Sequence, residues 1–255
     1  MTSRLQTTRS ELKFTVTESQ AERIRDFLSS HLVPDENNGR FRAGYRVCSV
    51  YLDSQDGKLY RQTSVGQKNR FKLRARIYDD NPNAPAFLEI KRREGAIIRK
   101  SRASVSRSLA VEILSGRDPA VRLADELGTV AERYWRELRE FIRSRDTIAA
   151  AGSVVVDYDR EAYVSRSSAL AGNDYRATFD RSLSAQPYRI DQALCFPTSA
   201  FDTPFYETVV FELKFTNRFP LWMQDLVRSF NLIPTSFPKY LHCADTLSGN
   251  ASPIT

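Results

Sequence analysis

The sequence predicts an α+β protein in which antiparallel strands carry charge on one face and apolar groups on the other, with helices against the apolar side. Three observations lead there. The stretch Arg70-Phe71-Lys72-Leu73-Arg74-Ala75-Arg76-Ile77 alternates cation and apolar residue over eight positions. Successive side chains of a strand point to opposite faces, so four cations share one side and four apolar groups the other. A Glu-x-Lys pattern occurs three times in strand-like surroundings, as Glu11-Leu12-Lys13, Glu89-Ile90-Lys91 and Glu212-Leu213-Lys214. Each copy puts acid and ammonium on one face and Leu or Ile on the other. Between the strands, apolar residues recur at helical spacing, as in Ala21, Ile24, Phe27 and Leu28.

Four aligned cations repel one another, so the basic strand needs counter-ions, carboxylates or a polyanionic ligand beside it. For one strand alone, a solvated surface is the simpler reading. Several such strands fit two architectures. A sandwich would keep its core on one face and meet solvent with the other. A closed barrel would turn the charged faces inward and cover the apolar outer faces with helices.

Composition narrows the class. A chain of 255 residues holds one large domain or two small ones. No linker rich in Gly, Ser or Pro divides it, so residues 11–246 read as a single unit between a polar N-terminal tail, 1–10, and a C-terminal tail, 247–255. With 41% hydrophobic and 27% charged residues the protein is globular, neither disordered nor fibrous. Thirty-eight Lys and Arg against 31 Asp and Glu give a charge of +7 and favour anionic partners. The three cysteines, Cys48, Cys195 and Cys243, show no Cys-x-x-Cys spacing and point to a reducing compartment. No apolar run approaches the ~20 residues that span a bilayer, so a soluble, cytoplasmic chain is expected.

Taken in order, the first Glu-x-Lys strand is followed by Thr17 and Gln20 at capping-box spacing, and a helix runs from there towards Pro34. Asp35 to Gly44 is a polar loop. Tyr45 to Asp53 alternates, with Val47, Ser49, Tyr51 and Asp53 on one face and Cys48, Val50 and Leu52 on the other. A short helix around Lys58 to Gln62 precedes the basic strand. Asp79 to Pro85 turns it into Phe87 to Arg93, and Glu94-Gly95 turns again into Ile97 to Ser106. In that last strand Lys100 and Arg102 share a parity, but the register that would give its facing is open. From Ser108 to Ser144 the pattern is helical, broken at Gly116, Pro119 and Gly128; Val130, Tyr134, Leu138 and Phe141 fall near one face as core contacts. Val154 to Arg160 and Tyr175 to Arg181 are strands, Gln186 to Pro204 a loop, and Val209 to Thr216 the last strand. A short helix then runs to Phe230, and Thr235 to Tyr240 closes the ordered part.

If the charged faces converge, they bring together Lys13, Arg74, Arg76, Lys91, Arg160, Arg176 and Lys214, with Glu11, Glu89 and Glu212 among them. Such a surface suits a chain of phosphates: Arg offers a planar fork of donors, Lys a compact charge, and carboxylates can hold a divalent cation that bridges phosphoryl groups. Phosphoryl transfer asks mainly for positioning and charge neutralisation. No side-chain nucleophile is needed, in keeping with two histidines, His31 and His242, in no recognisable catalytic arrangement.

The run Tyr45 to Asp53 (YRVCSVYLD), the strands NRFKLRARIY and FLEIKRR, the Tyr158-Asp159-Arg160 strand, FELKF and the terminal SFPKY together resemble the VTC domain, the catalytic domain of the vacuolar transporter chaperones. That family belongs to the triphosphate tunnel metalloenzymes, with the CYTH-type triphosphatases and adenylate cyclases. The resemblance runs from about Glu11 to Asp245. It implies a closed antiparallel β-barrel of about eight strands around a basic tunnel, and an ATP-dependent polyphosphate polymerase that passes the γ-phosphate to a growing chain. By the same resemblance, Lys13, Arg74, Arg76, Lys91, Lys100, Arg160 and Arg176 bind phosphate, Tyr158 and Ser236 donate hydrogen bonds, and Lys214 and Lys239 complete the path. Arg74, Arg76, Lys214 and Lys239 are then the catalytic set. Glu212 holds Mn2+ or Mg2+, with Glu11 and Glu89 as further carboxylates.

The expected partners are ATP and polyphosphate or another triphosphate. Eukaryotic members carry a regulatory SPX domain before this unit and membrane helices after it; this sequence has neither, so inositol-phosphate sensing and coupled translocation are not expected of it, and a membrane protein remains a partner to test for. Hydrolysis of triphosphate by the same chemistry is the alternative among enzymes, and a noncatalytic polyphosphate or nucleotide sensor the alternative outside them. Nucleic acid is not expected, because readers of single strands set aromatic platforms beside their cations, whereas Phe71, Leu73 and Ile77 lie opposite the arginines.

Overall fold

The computed structural model describes residues 9–39, 44–95, 97–119, 132–165, 174–190, 192–198, 207–216 and 218–249. Val130, Gly128, most of the N-terminal tail, the end of the C-terminal tail and part of the 186–204 loop lie outside these residues. The strands are β1 (Arg9–Val16), β2 (Leu32–Pro34), β3 (Tyr45–Asp53), β4 (Asn69–Ile77), β5 (Ala86–Glu94), β6 (Ile97–Val105), β7 (Ala151–Ser165), β8 (Tyr175–Pro187) and β9 (Val209–Thr216). The helices are α1 (Glu18–Leu28), α2 (Lys58–Ser64), α3 (Arg107–Leu114), α4 (Glu132–Asp146), α5 (Leu221–Ser229) and α6 (Lys239–Leu247). The protein is thus α+β with a large sheet ordered β1-β9-β8-β7-β3-β4-β5-β6, β2 pairing with β7. Nine strands take part among the described residues, where about eight were expected. Among the described residues β1 and β6 end this order without a ladder between them, so hydrogen bonding does not close the expected barrel.

Most elements follow from local sequence. The Thr17 hydroxyl accepts from the Gln20 amide at 3.2 Å while the Gln20 side chain accepts from the Thr17 amide at 3.1 Å, which makes the expected capping box at the start of α1. The structure adds β2, which is too short to show a period, and α6, which follows Pro238 as its N-cap. It also carries β8 to Pro187, past the Arg181 end that alternation indicated. No helix among the described residues is long and apolar enough to cross a membrane.

By packing, the chain falls into two compact units. One comprises Met1–Tyr45, Tyr158–Leu183 and Phe205–Phe237. Its core sets Phe14, Phe179, Phe211 and Leu213 of β1, β8 and β9 against Ala21, Ile24 and Leu28 of α1 and Met223 and Leu226 of α5. The other comprises Arg46–Asp157, Ser184–Pro204 and Pro238–Thr255. There Val50, Leu73, Ala75, Ile77, Leu88 and Ala103 of β3 to β6 pack on Leu109 and Ile113 of α3 and Leu138 and Phe141 of α4. Both cores use only the apolar parity of their strands, so in each unit helices cover the greasy side and leave the charged parity to the other face. Leu73 is fully buried, and trimming it to Ala would cost about 2–5 kcal/mol.

Candidate functional site

In the Arg46–Asp157 unit the register assembles the charged face row by row. Tyr51 lies opposite Arg74, and Arg74 opposite Glu89. Glu89 in turn faces Arg102, Lys72 faces Lys91, and Lys91 faces Lys100. Directly paired residues point to the same side, so β4, β5 and β6 put Arg70, Lys72, Arg74, Arg76, Lys91, Arg93, Lys100 and Arg102 beside one carboxylate, Glu89. The facing of Lys100 and Arg102 is hereby settled.

Glu89 is the hub. Its side chain is 1% exposed, and its carboxylate is met by Arg74 at 2.6 Å, Lys100 at 2.7 Å, Arg102 at 3.7 Å and Arg76 at 3.9 Å. Burial opposes its ionisation, but Arg74, Arg76 and Lys100 outweigh burial and hold it far below the usual carboxylate range. The Lys100 ammonium is pushed down to about 8 by desolvation of its charged end, with Glu89 resisting and Arg74 and Arg76 adding to the fall, although 47% of the side chain is exposed. Arg76 donates to Ser49 Oγ at 3.0 Å, and Arg74 to Tyr51 Oη at 3.1 Å. Tyr51 stacks on Tyr240, whose hydroxyl donates to Asp53 at 2.6 Å. Asp53 also accepts from the Leu59 and Tyr60 amides, both at 2.8 Å, and so ties the start of α6, where Lys239 is buried, to α2.

The other unit builds a second cluster. Lys13 faces Glu212 across β1 and β9, and Glu11 faces Lys214. The buried Glu212 carboxylate meets Lys214 at 2.6 Å, Lys13 at 3.0 Å and Arg160 at 3.8 Å, while Lys13 also reaches Glu11 at 3.1 Å. Arg160 forks onto the buried Asp180 at 2.6 and 2.7 Å and lies over the Tyr158 ring. Burial depresses the Lys214 ammonium against the pull of Glu212, and Arg160 depresses it further. Arg176 bonds Asp35 at 2.8 Å and the Tyr45 hydroxyl at 3.2 Å. Gly44 makes room here: a Cβ would lie 2.3 Å from the Arg160 carbonyl oxygen.

Every predicted site residue therefore lies in one of two clusters except Ser236, which is exposed, Lys91, placed by register alone, and Lys239, placed by α6. Sequence reasoning missed roles for Asp180, Asp35, Ser49 and Tyr51. The signal available was parity: Asp180 shares that of Arg176, and Ser49 and Tyr51 lie on the polar side of β3. Not every buried arginine belongs to a site. Arg107 donates to the carbonyls of Ala84, Leu194 and Asp79, and Arg145 to those of Ile113 and Arg117, as fasteners of helices.

Among the described residues no three His, Cys, Asp or Glu side chains gather as a metal cage. The donor set fits the other way of holding Mg2+ or Mn2+, by one or two carboxylates together with phosphate oxygens of a ligand. Glu212 and Glu11, joined through Lys13, are the pair available in one unit.

No curated protein matches the sequence. Among solved structures, a candidate adenylate cyclase from Bacillus halodurans is 12% identical, with a TM-score of 0.47 over 91% of this chain and 95% of its own. A candidate adenylyl cyclase from Hippeastrum, described as having a dominant triphosphatase activity, is 16% identical, with a TM-score of 0.48 over 95% of this chain and 97% of its own. The VTC domain family matches residues 8–248, and on that match, which takes in both charged clusters, the chain belongs to the VTC domain family.

Proposed function

We propose that the protein is a metal-dependent, ATP-dependent polyphosphate polymerase that transfers the γ-phosphate of ATP to a growing polyphosphate chain in the cytoplasm. The observation that supports this most is the charge ratio on the β4-β5-β6 face, eight cations to one carboxylate, in a chain of the VTC domain family. A structural face would balance its charges. A surplus held on rigid strands and partly buried is what a polyanion requires.

In this reading Arg74 and Arg76 grip phosphate oxygens with their forks, Lys91 and Lys100 supply charge beside them, and Lys239 stands with Tyr51 at the edge of the same cluster. Lys13, Arg160, Arg176 and Lys214 bind phosphate in their own unit, with Tyr158 and Ser236 as hydrogen-bond donors. Glu89 and Asp180 hold the guanidinium groups in place before the ligand arrives, so little reorganisation remains for the reaction. Glu212, with Glu11, would hold Mn2+ or Mg2+. The ion would neutralise charge on bridging phosphates.

The test is incubation of purified protein with ATP and Mn2+, with products separated on a gel. A ladder of phosphate polymers is expected. Free phosphate without polymer would replace the polymerase by a triphosphate hydrolase, and tight polyphosphate binding without turnover would leave a sensor.

A further inference from the structure

We infer that the cationic face of β4, β5 and β6 continues outward into a subsite, built by Arg70 and Arg93, that holds the distal part of a linear polyphosphate longer than three phosphates. The inference rests on the reading that the Arg74 cluster takes phosphate, and adds to it the length of ligand recognised. Arg70 lies directly opposite Arg93 in the β4-β5 register. Their side chains donate to backbone carbonyls, Arg70 to Gln67 and Arg93 to Gly95, and among the described residues neither has a carboxylate partner. Arg93 itself works against the charge of Arg70, whose guanidinium is lowered by burial first and by that neighbour second. Like charges directly opposite destabilise an antiparallel pair.

Two structural explanations fail. Cations on an edge strand guard against edge-to-edge pairing. Although Arg70 lies past the last β3–β4 pair, Leu52 with Leu73, Arg93 lies on β5, which pairs with β4 and β6 along its length, so edge protection does not account for the pair. Neutralisation is also possible on this face, since Glu89 serves four cations; among the described residues the outer Arg70–Arg93 row has no acid of its own. From Arg76 to Arg70 the strand advances six residues, about 20 Å at ~3.4 Å per residue. That is well beyond the reach of three phosphates joined by bridging oxygens.

The chemistry selects polyphosphate over a nucleic-acid strand. The aromatic rings near this face, Tyr51, Tyr78 and Phe87, lie under Arg74, Arg76 and Arg102 at the inner end. The rows of Arg70 and Lys72 hold none, and Phe71 lies on the opposite face, under Arg92. Bases would have nothing to stack on.

The experiment measures binding of tripolyphosphate and of a long-chain polyphosphate, with concentrations counted in three-phosphate segments so that statistical overlap cancels. Wild type, Arg70→Gln/Arg93→Gln and Arg70→Glu are compared. Wild type is expected to bind the long chain about tenfold more tightly per segment, the double variant to lose that excess while keeping its tripolyphosphate affinity within about twofold. Arg70→Glu, which turns the repulsive pair into an attractive one, should melt no lower than wild type and lose the same excess. A long-chain preference that survives both variants overturns the subsite. An oligodeoxynucleotide that displaces long-chain polyphosphate through the same two arginines overturns the choice of ligand. Failure of wild type to bind tripolyphosphate at all would instead remove the phosphate reading of the Arg74 cluster.

Discussion

The Lys100 ammonium lies 2.7 Å from the Glu89 carboxylate across β5 and β6, and desolvation of that ammonium, on a side chain still about half exposed, brings it down to about 8. In the free protein Lys100 therefore begins to lose its proton just above neutral pH. An anion bound beside it favours the charged form, so binding takes up a proton once the pH exceeds the free value. Tripolyphosphate affinity should fall as pH rises from 7 to 9, with proton uptake visible by calorimetry in buffers of different ionisation enthalpy. Lys100→Arg, which stays charged, should flatten that profile; an unchanged profile would place the titrating group elsewhere.

Glu212 stands between Lys13 and Lys214 and neutralises both. Glu212→Gln keeps the shape, removes the negative charge and leaves these cations with one acid fewer. Metal-free tripolyphosphate binding should hold or tighten, whereas Mn2+-dependent turnover should fall by at least about 100-fold, on the order of 3 kcal/mol in the barrier. Retained turnover would remove the metal role from Glu212.

Arg74 grips Glu89 through its Nε and Nη2 and donates from Nη1 to the Tyr51 hydroxyl. Arg74→Ala removes a charge-assisted contact worth about 1.5–3 kcal/mol, or roughly 10- to 100-fold in ATP affinity. The remaining affinity should vary less steeply with salt, because one ionic contact fewer is screened. Equal affinity at low salt would show that this guanidinium does not meet the ligand.

Away from both clusters, Glu161 fastens α1 to β7 and β8: it accepts from Arg25 at 2.7 and 3.2 Å, from Arg181 at 2.7 Å and from the Tyr163 hydroxyl. Burial raises this carboxyl, yet bonds from Arg25 and Tyr163 and the charge of Arg181 leave it below its ordinary value. A folded-state value below the unfolded one stabilises above the unfolded value, near pH 4.5, and is lost as pH falls through the folded one. Glu161→Gln should cost about 2–3 kcal/mol near pH 7 and much less near pH 3, as read from thermal melts. Equal losses at both pH values would mean that Glu161 acts by packing alone.

Tyr240→Phe removes the hydroxyl that joins α6 to Asp53 while keeping the ring stacked on Tyr51. A loss of about 1 kcal/mol in stability is expected, together with reduced turnover, because Lys239 begins the helix that this bond anchors. Turnover equal to wild type in a destabilised variant would confine Tyr240 to structure.

The strands were legible because period two is written directly into Arg70 to Ile77 and into the three Glu-x-Lys copies. The apolar parity named the helix-covered face, and Thr17 with Gln20 named the start of α1. These are local relations, set by the geometry of a single strand or turn. What acid stands by which cation is not local: Glu89 meets Arg102 and Lys100 only because β6 returns from Gly95 in one register, and a slip of one residue would have turned both away. Asp180 with Arg160, Asp53 with Tyr240, and the repulsive Arg70–Arg93 pair likewise join residues distant in the chain. The sequence alone thus determined which face of each strand is charged, and the tertiary structure decided how those charges pair, since pairing depends on register between strands and period only on the strand itself.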